Sequence, residues 1–370
     1  MPEAGLMPEC QPPSIGPPPQ TDRRPFWSVM IPAYNRTQYL EKTLKSVLSQ
    51  DPGAEEMQIE VVDDASSVDD PEPLVRRIAG ERVSFARNPR NLGLMPNFNR
   101  CVERSRGHWV HILHTDDFML PGFYERLRTA LEARNDIGAG FCRHAYIDGS
   151  DRLHHTSELE SPAAGILPDF IERIGAACRI QFASIVVRRS VYERLGGFRL
   201  DLPYTADWEM WIRIAAHYPI WYEPATLAAF RRHSTSATAG FKISGEDAAD
   251  MHRCIEVSRR WLPPDRAESI SRRAREWSCL ELLGQTSEDN AVLRLVEELV
   301  NVSLPSPANR SAVANEMLRA AHIHYRQGRR LQALVLMGRA VLTRPIIAGR
   351  PLKRAVNSLF GKSAAEVDRA

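Results

Sequence analysis

The first third of the chain alternates between short apolar runs, which predict buried strands, and segments whose apolar residues recur at helical spacing. The predicted elements are strands at 26–32, 58–62, 83–85 and 109–113, with helices at 37–50, 73–79 and 95–105. A helix at 123–133 and a strand at 139–143 follow. Because strands and helices alternate at short intervals, the pattern calls for an α/β fold, with a parallel sheet and helices on both faces.

The pattern is less regular in the middle of the chain and becomes wholly helical beyond about residue 245. Residues 183–188 are strand-like, 191–195 predict a short helix ended by glycine, and 207–215 predict a helix with an aromatic face. By contrast, residues 1–25 are rich in proline and carry almost no periodic apolar signal, which predicts a disordered tail.

Composition narrows the class of protein. The 370 residues allow one large domain or two to three smaller ones. A hydrophobic content of 43% and a charged content of 25% are ordinary for a soluble globular protein, and a net charge of +2 favours no nucleic-acid partner. The six cysteines lack Cys-x-x-Cys spacing, which argues against a zinc cage or a disulfide framework. No apolar run reaches the roughly 18 residues of a membrane span, and no signal-peptide pattern opens the chain, so we predict a cytoplasmic protein.

Two adjacent carboxylates, Asp116 and Asp117, come directly after the predicted strand 109–113. Neighbouring buried negative charges repel each other, and a divalent cation such as Mg²⁺ or Mn²⁺ would relieve both the repulsion and the cost of burial. Open α/β sheets bind ligands at the carboxyl ends of their strands. The pair therefore indicates a metal site that holds a phosphorylated ligand; an aspartate pair that caps the next element is the alternative.

Polar residues follow two further strands at the same predicted edge. Tyr34 comes just after the first strand, where its ring suits stacking on a base or simply covers the sheet edge. Asp63 and Asp64 end the second strand, where a carboxylate can accept hydrogen bonds from a base or a ribose, and Asp63 is the one expected to support the turn. These strand ends predict a nucleotide site. The chain has neither a Gly-x-Gly-x-x-Gly turn nor a Walker motif, which argues against dinucleotide and P-loop enzymes.

Several short motifs follow one another in an order typical of one enzyme family. The first four are Val29-Met30-Ile31-Pro32-Ala33-Tyr34-Asn35-Arg36, Val61-Val62-Asp63-Asp64-Ala65-Ser66, Asn91-Leu92-Gly93 and His114-Thr115-Asp116-Asp117. The later ones are Ser184 to Arg188, Gly196-Gly197-Phe198, Asp207-Trp208-Glu209 and Arg232-His233. From about 26 to 240 the chain therefore resembles a family 2 glycosyltransferase with a GT-A fold, which is a Rossmann-like, mostly parallel sheet flanked by helices.

The resemblance implies inverting, non-processive transfer of a sugar from a nucleotide-diphosphate sugar to an acceptor hydroxyl, of the hexosyltransferase type. It implies a nucleotide-binding half at 26–120 and an acceptor half at 121–240. Beyond them, the residue pattern predicts an all-helical C-terminal extension at 241–370. The acceptor would be a saccharide or a lipid-linked molecule in cell-surface polysaccharide or glycolipid synthesis. The donor nucleotide, whether UDP, dTDP or GDP, stays open.

The resemblance assigns the donor to positions in the strand-end motifs, namely Pro32, Tyr34, Asn35, Asp64, Asn91 and Asp116. Tyr34 and Asp64 would hold the base, and Asp116 would contact the ribose or share the metal. Asp117 would bind Mn²⁺ or Mg²⁺ and, through the cation, the diphosphate. His233 would reach the metal or the diphosphate, and a surface position is the alternative for this histidine.

The resemblance assigns the acceptor side to residues 207–211. Asp207 would be the general base that deprotonates the acceptor hydroxyl, although its place at the start of a predicted helix also suits a cap. Glu209 would be the back-up base. Trp208 and Trp211 lie three apart on one helix, so one is expected in the core and the other against an acceptor sugar.

One departure from the family pattern leaves an alternative open. His114 stands where many members have the first aspartate of Asp-x-Asp-Asp. A catalytically inactive GT-A-like module, which binds a sugar nucleotide or acts as a scaffold, is therefore the alternative function. A sugar-1-phosphate nucleotidyltransferase is a weaker one, because the chain lacks a glycine-rich loop with Arg and Lys after the first strand.

The C-terminal region carries two further patterns. Gly328, Ala333, Ala340 and Pro345 have the spacing of one tetratricopeptide-like helix pair. A single pair is too short for a solenoid, so it is expected to pack on the catalytic domain or to form a homodimer contact. The last turns combine basic and apolar residues, which predicts either a solvated basic face or peripheral contact with the inner face of the membrane.

Overall fold

The computed structural model describes residues 11–19 and 23–284. The chain divides into two compact units, residues 1–270 and 271–370. The central sheet and the candidate site both lie in the first unit.

Four parallel strands form the first half of the central sheet, in the spatial order β3-β2-β1-β4. They are β1 (Trp27–Ala33), β2 (Met57–Asp63), β3 (Ser84–Arg87) and β4 (Trp109–Ile112), and the connecting helices are α1 (Leu40–Leu48), α2 (Glu72–Ala79) and α3 (Leu94–Arg104). These elements coincide within a few residues with those that the apolar pattern predicts. The strand-helix alternation predicted from the sequence is therefore confirmed.

Further strands extend this sheet and make it mixed. They are β5 (Phe118–Met119), β6 (Ala139–Ile147), β7 (Leu153–Thr156), β8 (Gly165–Ile166), β9 (Ile185–Arg188) and β10 (Ile220–Arg231). β9 runs antiparallel between β4 and β6, and β10 pairs in parallel with β6. The α/β class is confirmed, and the uninterrupted parallel strands belong to the first half.

Helices cover the sheet and continue beyond it. They are α4 (Phe123–Leu131), α5 (Phe170–Ala176), α6 (Arg189–Leu195), α7 (Ala206–His217), α8 (Ala237–Ser244), α9 (Glu246–Ser258) and α10 (Ala267–Gly284). As predicted, the described residues beyond 245 contain helices and no strand. The predicted domain boundary at 240 falls inside α8 and stays a prediction.

The longest strand, β10, has no counterpart among the predicted elements. Glu223 and Pro224 interrupt its apolar pattern, and proline normally argues against a strand interior. The structure accommodates the interruption with a register shift against β6 between Glu223 and Thr226. Pairing with β6, rather than local sequence preference, therefore defines this strand.

The core fixes the strand ends around which the candidate site is built. Every residue of β1 and β2 is buried, as expected for parallel strands with helices on both faces. Val29 and Ile31 of β1 share one hydrophobic cluster with Leu44 and Val47 of α1. Because both strands are anchored along their whole length, the residues that directly follow them are held in place.

Part of the predicted disordered tail is packed on the folded domain, which corrects that expectation for residues 11–19. Ile15 is only 5% exposed. The carbonyl of Pro13 accepts a hydrogen bond from Gly197 N at 2.8 Å, and the carbonyl of Gly16 accepts one from the buried Arg189 guanidinium at 3.0 Å. A buried guanidinium needs acceptors, and an extended proline-rich segment offers free carbonyls.

The remaining expectations concern the cysteines, the membrane and the C-terminal region. Cys101, Cys142 and Cys254 are buried free thiols, while Cys178 is half-buried. Within the described residues, no helix is long and apolar enough to cross a membrane. The tetratricopeptide-like pair and the basic C-terminal end lie outside the described residues.

Candidate functional site

A cavity of about 580 Å³ lies at the carboxyl ends of β1, β2 and β4. The predicted site residues that line it are Pro32, Tyr34, Asp64, Asn91, Asp116 and Asp207. Residues that lie far apart in the sequence thus line one cavity. The strand-end pattern predicts this for those that follow β1, β2 and β4. The other predicted site residues do not line the cavity.

The base-side residues differ in how free they are to meet a ligand. Tyr34 is 47% exposed and lines the cavity, so its ring is available for stacking. The carboxylate of Asp64 is buried and accepts hydrogen bonds from the backbone N–H groups of Leu92 and Gly93, both at 2.9 Å. Asp64 therefore holds the turn that presents Asn91 to the cavity.

Asn35 organises a loop instead of lining the cavity, which corrects its predicted place in the donor site. Its backbone is left-handed, with φ 46°, and its Oδ1 accepts hydrogen bonds from Ser67 N at 2.8 Å and Val68 N at 2.9 Å. Asp63 plays the supporting role predicted for it, because its carboxylate accepts hydrogen bonds from Ser66 and Arg87.

His114, Asp116 and Asp117 form a potential metal cluster, with one ligand atom from each lying within 4.8 Å of the others. Asp117 is fully buried, and its Oδ1 accepts a hydrogen bond from Arg231 N at 2.8 Å. Its Oδ2 has no hydrogen-bond partner among the described residues. Burial, and then the neighbouring charge of Asp116, raise the pKa of Asp117 well above its usual value. An unpaired buried oxygen beside a second carboxylate and an imidazole fits a divalent cation.

Asp116 is the carboxylate of the pair that faces the cavity. Its Oδ2 lies 2.9 Å from His233 Nε2 and 3.6 Å from the Arg36 guanidinium. Burial acts to raise the pKa of Asp116, but the hydrogen bond from His233 and the nearby positive groups hold it below its usual value. The side chain of His233 is 7% exposed and contacts Asp116, so it is not a free surface histidine, and its predicted reach to the metal or the diphosphate stays a prediction.

His114 is held between two aromatic rings. Its ring centroid lies 5.0 Å from that of Phe98 and 4.7 Å from that of Phe182. Burial lowers the pKa of His114. The departure from the aspartate of the family motif therefore supplies a neutral imidazole, which is itself a common metal ligand.

Asp207 lies in the first turn of α7 and lines the cavity. Burial, together with the charge of Asp250, raises its pKa to about 7, although a hydrogen bond from Trp208 N at 2.7 Å acts in the opposite direction. Thr205 occupies the N-cap position, so the cap interpretation of Asp207 is wrong. A carboxylate with a pKa near neutrality is suited to general base catalysis.

The three residues predicted for the acceptor side are core residues, which corrects that assignment. Trp208 and Trp211 are each 1% exposed, and Glu209 is 0% exposed. Glu209 binds Arg213 at 2.8 Å and Trp261 Nε1 at 3.0 Å, so it has no access to an acceptor. Because α7 is packed on nearly all sides, only its start reaches the cavity.

Several cavity residues were not among those predicted from the sequence. They are Arg36, Gln181, Phe182, Tyr204, Arg231 and Phe241. Arg36 is the last residue of the first motif and Arg231 directly precedes the motif Arg232-His233, and these positions were the available signal. Tyr204 and Phe241 come from the turn before α7 and from α8, where no motif points to the cavity.

The fold shows which class of protein the chain is similar to. The sheet and its flanking helices match those of solved GT-A glycosyltransferases. Residues 1–349 of TarS from S. aureus, in complex with UDP-GlcNAc, align with a TM-score of 0.59 and 12% identity, over 84% of this chain and 90% of that one. The mannosyltransferase PcManGT from Pyrobaculum calidifontis, in complex with GDP-Man and Mn²⁺, aligns with a TM-score of 0.52 and 19% identity, over 95% and 91%.

The sequence comparisons show which family part of the chain resembles. A model described as "Glycosyl transferase family 2" matches residues 28–196. The succinoglycan biosynthesis protein ExoO of Rhizobium meliloti is 31% identical over 160 residues, which are 42% of this chain and 44% of that protein. Residues 28–196 are therefore similar to glycosyl transferase family 2. The family match ends before Asp207, so the role of that residue depends on geometry.

Proposed function

We propose that this protein is an inverting glycosyltransferase that moves a sugar from a nucleotide-diphosphate sugar to an acceptor hydroxyl. The observation that carries the proposal is that Asp116, which belongs to the potential metal cluster, lines the same cavity as Asp207. Asp116 would thus serve the leaving diphosphate, and Asp207 would serve the attacking acceptor hydroxyl. A scaffold without activity has no need of both.

The donor would lie along the ends of β1 and β2. Tyr34 would stack on the base, and the turn held by Asp64 would place Asn91 beside it. TarS is described with UDP-GlcNAc and PcManGT with GDP-Man, so the fold accommodates more than one base.

The diphosphate would be held through a divalent cation, Mn²⁺ or Mg²⁺. Asp116, Asp117 and His114 would supply its protein ligands, with His233 orienting Asp116. A bound cation stabilises the negative charge that develops on the leaving nucleoside diphosphate. The Arg36 guanidinium lies 3.6 Å from Asp116 and would place a further positive charge beside the diphosphate.

Asp207 would act as the general base on the acceptor side. The acceptor oxygen forms a bond to the anomeric carbon, the bond from that carbon to the diphosphate oxygen breaks, and the acceptor proton passes to Asp207. A single displacement of this kind inverts the anomeric configuration. The name of ExoO, a succinoglycan biosynthesis protein, supports a saccharide or lipid-linked acceptor in polysaccharide synthesis.

The first test is a thermal-shift panel of UDP-, dTDP- and GDP-sugars, each with and without Mn²⁺. A ligand that binds only the folded state raises the melting temperature by mass action. We expect a Mn²⁺-dependent rise with one nucleotide class, followed by sugar transfer from that donor. No rise with any donor would favour the scaffold form of the inactive-module alternative.

The variant Asp207→Asn separates donor binding from transfer. We expect it to keep the thermal shift with the donor and Mn²⁺, because Asp207 contacts neither the predicted base site nor the cation cluster. Transfer should fall by a factor of roughly 10² to 10⁴, the usual contribution of a general base. Normal turnover by this variant would contradict the assignment of Asp207.

A further inference from the structure

The start of α7 is held by a residue from a different helix. Thr205 is the N-cap residue of α7, but its side chain makes no capping bond to that helix. Its hydroxyl instead donates to Asp250 Oδ2 at 2.7 Å. The first N–H groups of a helix, and the turn before them, need acceptors from elsewhere.

Asp250, on α9, supplies that acceptor. Its Oδ2 also accepts hydrogen bonds from Thr205 N at 2.8 Å and Tyr204 N at 3.1 Å. Asp250 is 3% exposed, so these bonds are shielded from water. One carboxylate oxygen therefore gathers three donors from two consecutive residues.

The residues on either side of Thr205 include two that line the cavity. Tyr204 lines it immediately before the held residue, and Asp207 lines it two positions later. The two flanking cavity residues are thus tied to α9 through a short, buried set of hydrogen bonds. A shift of this turn would move the carboxylate of Asp207 relative to a bound acceptor.

We propose that Asp250 is a positioning residue for sugar transfer, which holds the Tyr204–Thr205 turn and thereby fixes Asp207 at the cavity. This inference rests on the proposed function and on Asp207 as its base. Asp250 touches neither the cavity nor the cation cluster. It lies outside residues 28–196, which the family model matches.

The charge of Asp250 acts on Asp207 as well. The negative charge of Asp250 adds to the effect of burial in raising the pKa of Asp207. The other charged and imidazole groups on the elements packed around the pair include Lys242 of α8, Glu246, Asp247, His252, Arg253 and Glu256 of α9, Arg259 and Arg260 of the turn after α9, Glu209, Arg213 and His217 of α7, Glu172 and Arg173 of α5, and Arg189, Glu193 and Arg194 of α6. Of the charged side chains, Asp250 is the one that acts on the pKa of Asp207.

Two substitutions separate the hydrogen bonds from the charge. Asp250→Ala removes the acceptor, and we expect kcat to fall by up to about 100-fold with an unchanged KM for the donor, because the base is misplaced. Asp250→Asn keeps one oxygen that can accept the same donors, so it should recover most of kcat. Its loss of charge should move the acidic limb of the kcat/KM profile to lower pH by roughly half a unit.

Asp247→Asn is the matched control. Asp247 lies on the same helix, is 4% exposed and accepts a hydrogen bond from Ala248 N, not from the Tyr204–Thr205 turn. Its variant removes the same charge and should leave kcat and the acidic limb unchanged. A purely structural role for Asp250 would lower the melting temperature while kcat per folded enzyme stayed constant, and that result would overturn the proposal.

A second measurement does not depend on turnover. The difference in unfolding free energy between the wild type and Asp207→Asn, followed against pH, gives the pKa of Asp207 by linkage. Repeating it in the Asp250→Asn background should give a lower pKa of Asp207, and an unchanged pKa would overturn the inferred coupling of the Asp250 charge to Asp207. If the wild type transfers no sugar from any donor, the proposed function fails, while this measurement still tests the coupling between Asp250 and Asp207.

Discussion

At the scale of the residue, the clearest chemical feature is the carboxyl group of Asp207. Burial raises its pKa to about 7, so near neutral pH it is only partly ionised. A general base must be unprotonated to accept the acceptor proton. The ionisation of this single group should therefore appear both in catalysis and in stability.

In catalysis, we expect kcat/KM for the acceptor to rise with pH through about 7, because the active form of Asp207 is the ionised one. The affinity for the donor should not show the same rise with pH. The measurement is a pH profile of transfer at saturating donor and cation. A profile that is flat from pH 5.5 to 8.5 would contradict the assignment.

The ionisation of Asp207 should also make stability depend on pH. Folding stability should fall as the pH rises, whereas a salt-bridged aspartate makes it rise. A carboxyl group whose pKa is raised on folding costs stability as the pH climbs above its unfolded value of about 4, and the cost is complete above about 7. Asp207→Asn should therefore be more stable than the wild type at pH 8, by about 2 kcal/mol after discounting for partial exposure. Below pH 4 the two should unfold alike in urea titrations.

At the scale of the element, the packed N-terminal segment and the deeply buried α7 differ most from expectation. Residues 11–19 lie in no helix or strand, yet Ile15 is buried and Pro13 binds Gly197. In α7, one turn reaches the cavity while the rest supports the core. In both cases the environment of an element, rather than its local pattern, decides what its residues do.

The contribution of the N-terminal segment has a direct test. We expect Ile15→Ala to lower the free energy of unfolding by about 2–4 kcal/mol, because a buried apolar side chain is lost. Ile243→Ala is the matched control, since Ile243 is 81% exposed and its truncation should change stability by less than about 0.5 kcal/mol. Equal effects in urea denaturation would mean that the segment does not pack as described.

At the scale of the whole molecule, the cation cluster ties the end of β4 to the end of β10. Asp117 lies between β4 and β5, directly before the first residue of β5. Arg231, the last residue of β10, donates its backbone N–H to Asp117. His233 and Asp116 make a second link between the same two segments. A cation bound here would therefore stabilise the fold as well as hold the diphosphate.

We expect Mn²⁺ alone to raise the melting temperature of the wild type, by the equivalent of about 2.7 kcal/mol at a concentration 100 times its Kd. Asp117→Asn should lose this rise and, without cation, should be at least as stable as the wild type, because a buried like charge is removed. The control is Asp169→Asn, an exposed carboxylate that should leave the Mn²⁺ effect unchanged. A full Mn²⁺ response in Asp117→Asn would exclude this residue as a ligand.

The sequence by itself determined the alternation of β1 to β4 with α1 to α3, and with it the edge where Tyr34, Asp64 and Asp116 meet. Those elements carry strong local apolar periodicity, and parallel strands place their polar ends together for purely geometric reasons. The motif order also indicated the family that residues 28–196 resemble. These are properties that neighbouring residues encode.

Only the tertiary structure decided which face of α7 meets the cavity, that Asn35 binds a loop, and that β10 exists despite Pro224. The burial of Trp208, Glu209 and Trp211 depends on packing against segments far away in the sequence, which no local periodicity reports. The link from Asp250 to Thr205 spans 45 residues for the same reason. Contacts of this kind become definite only when the chain is compact, because their energies come from burial and pairing.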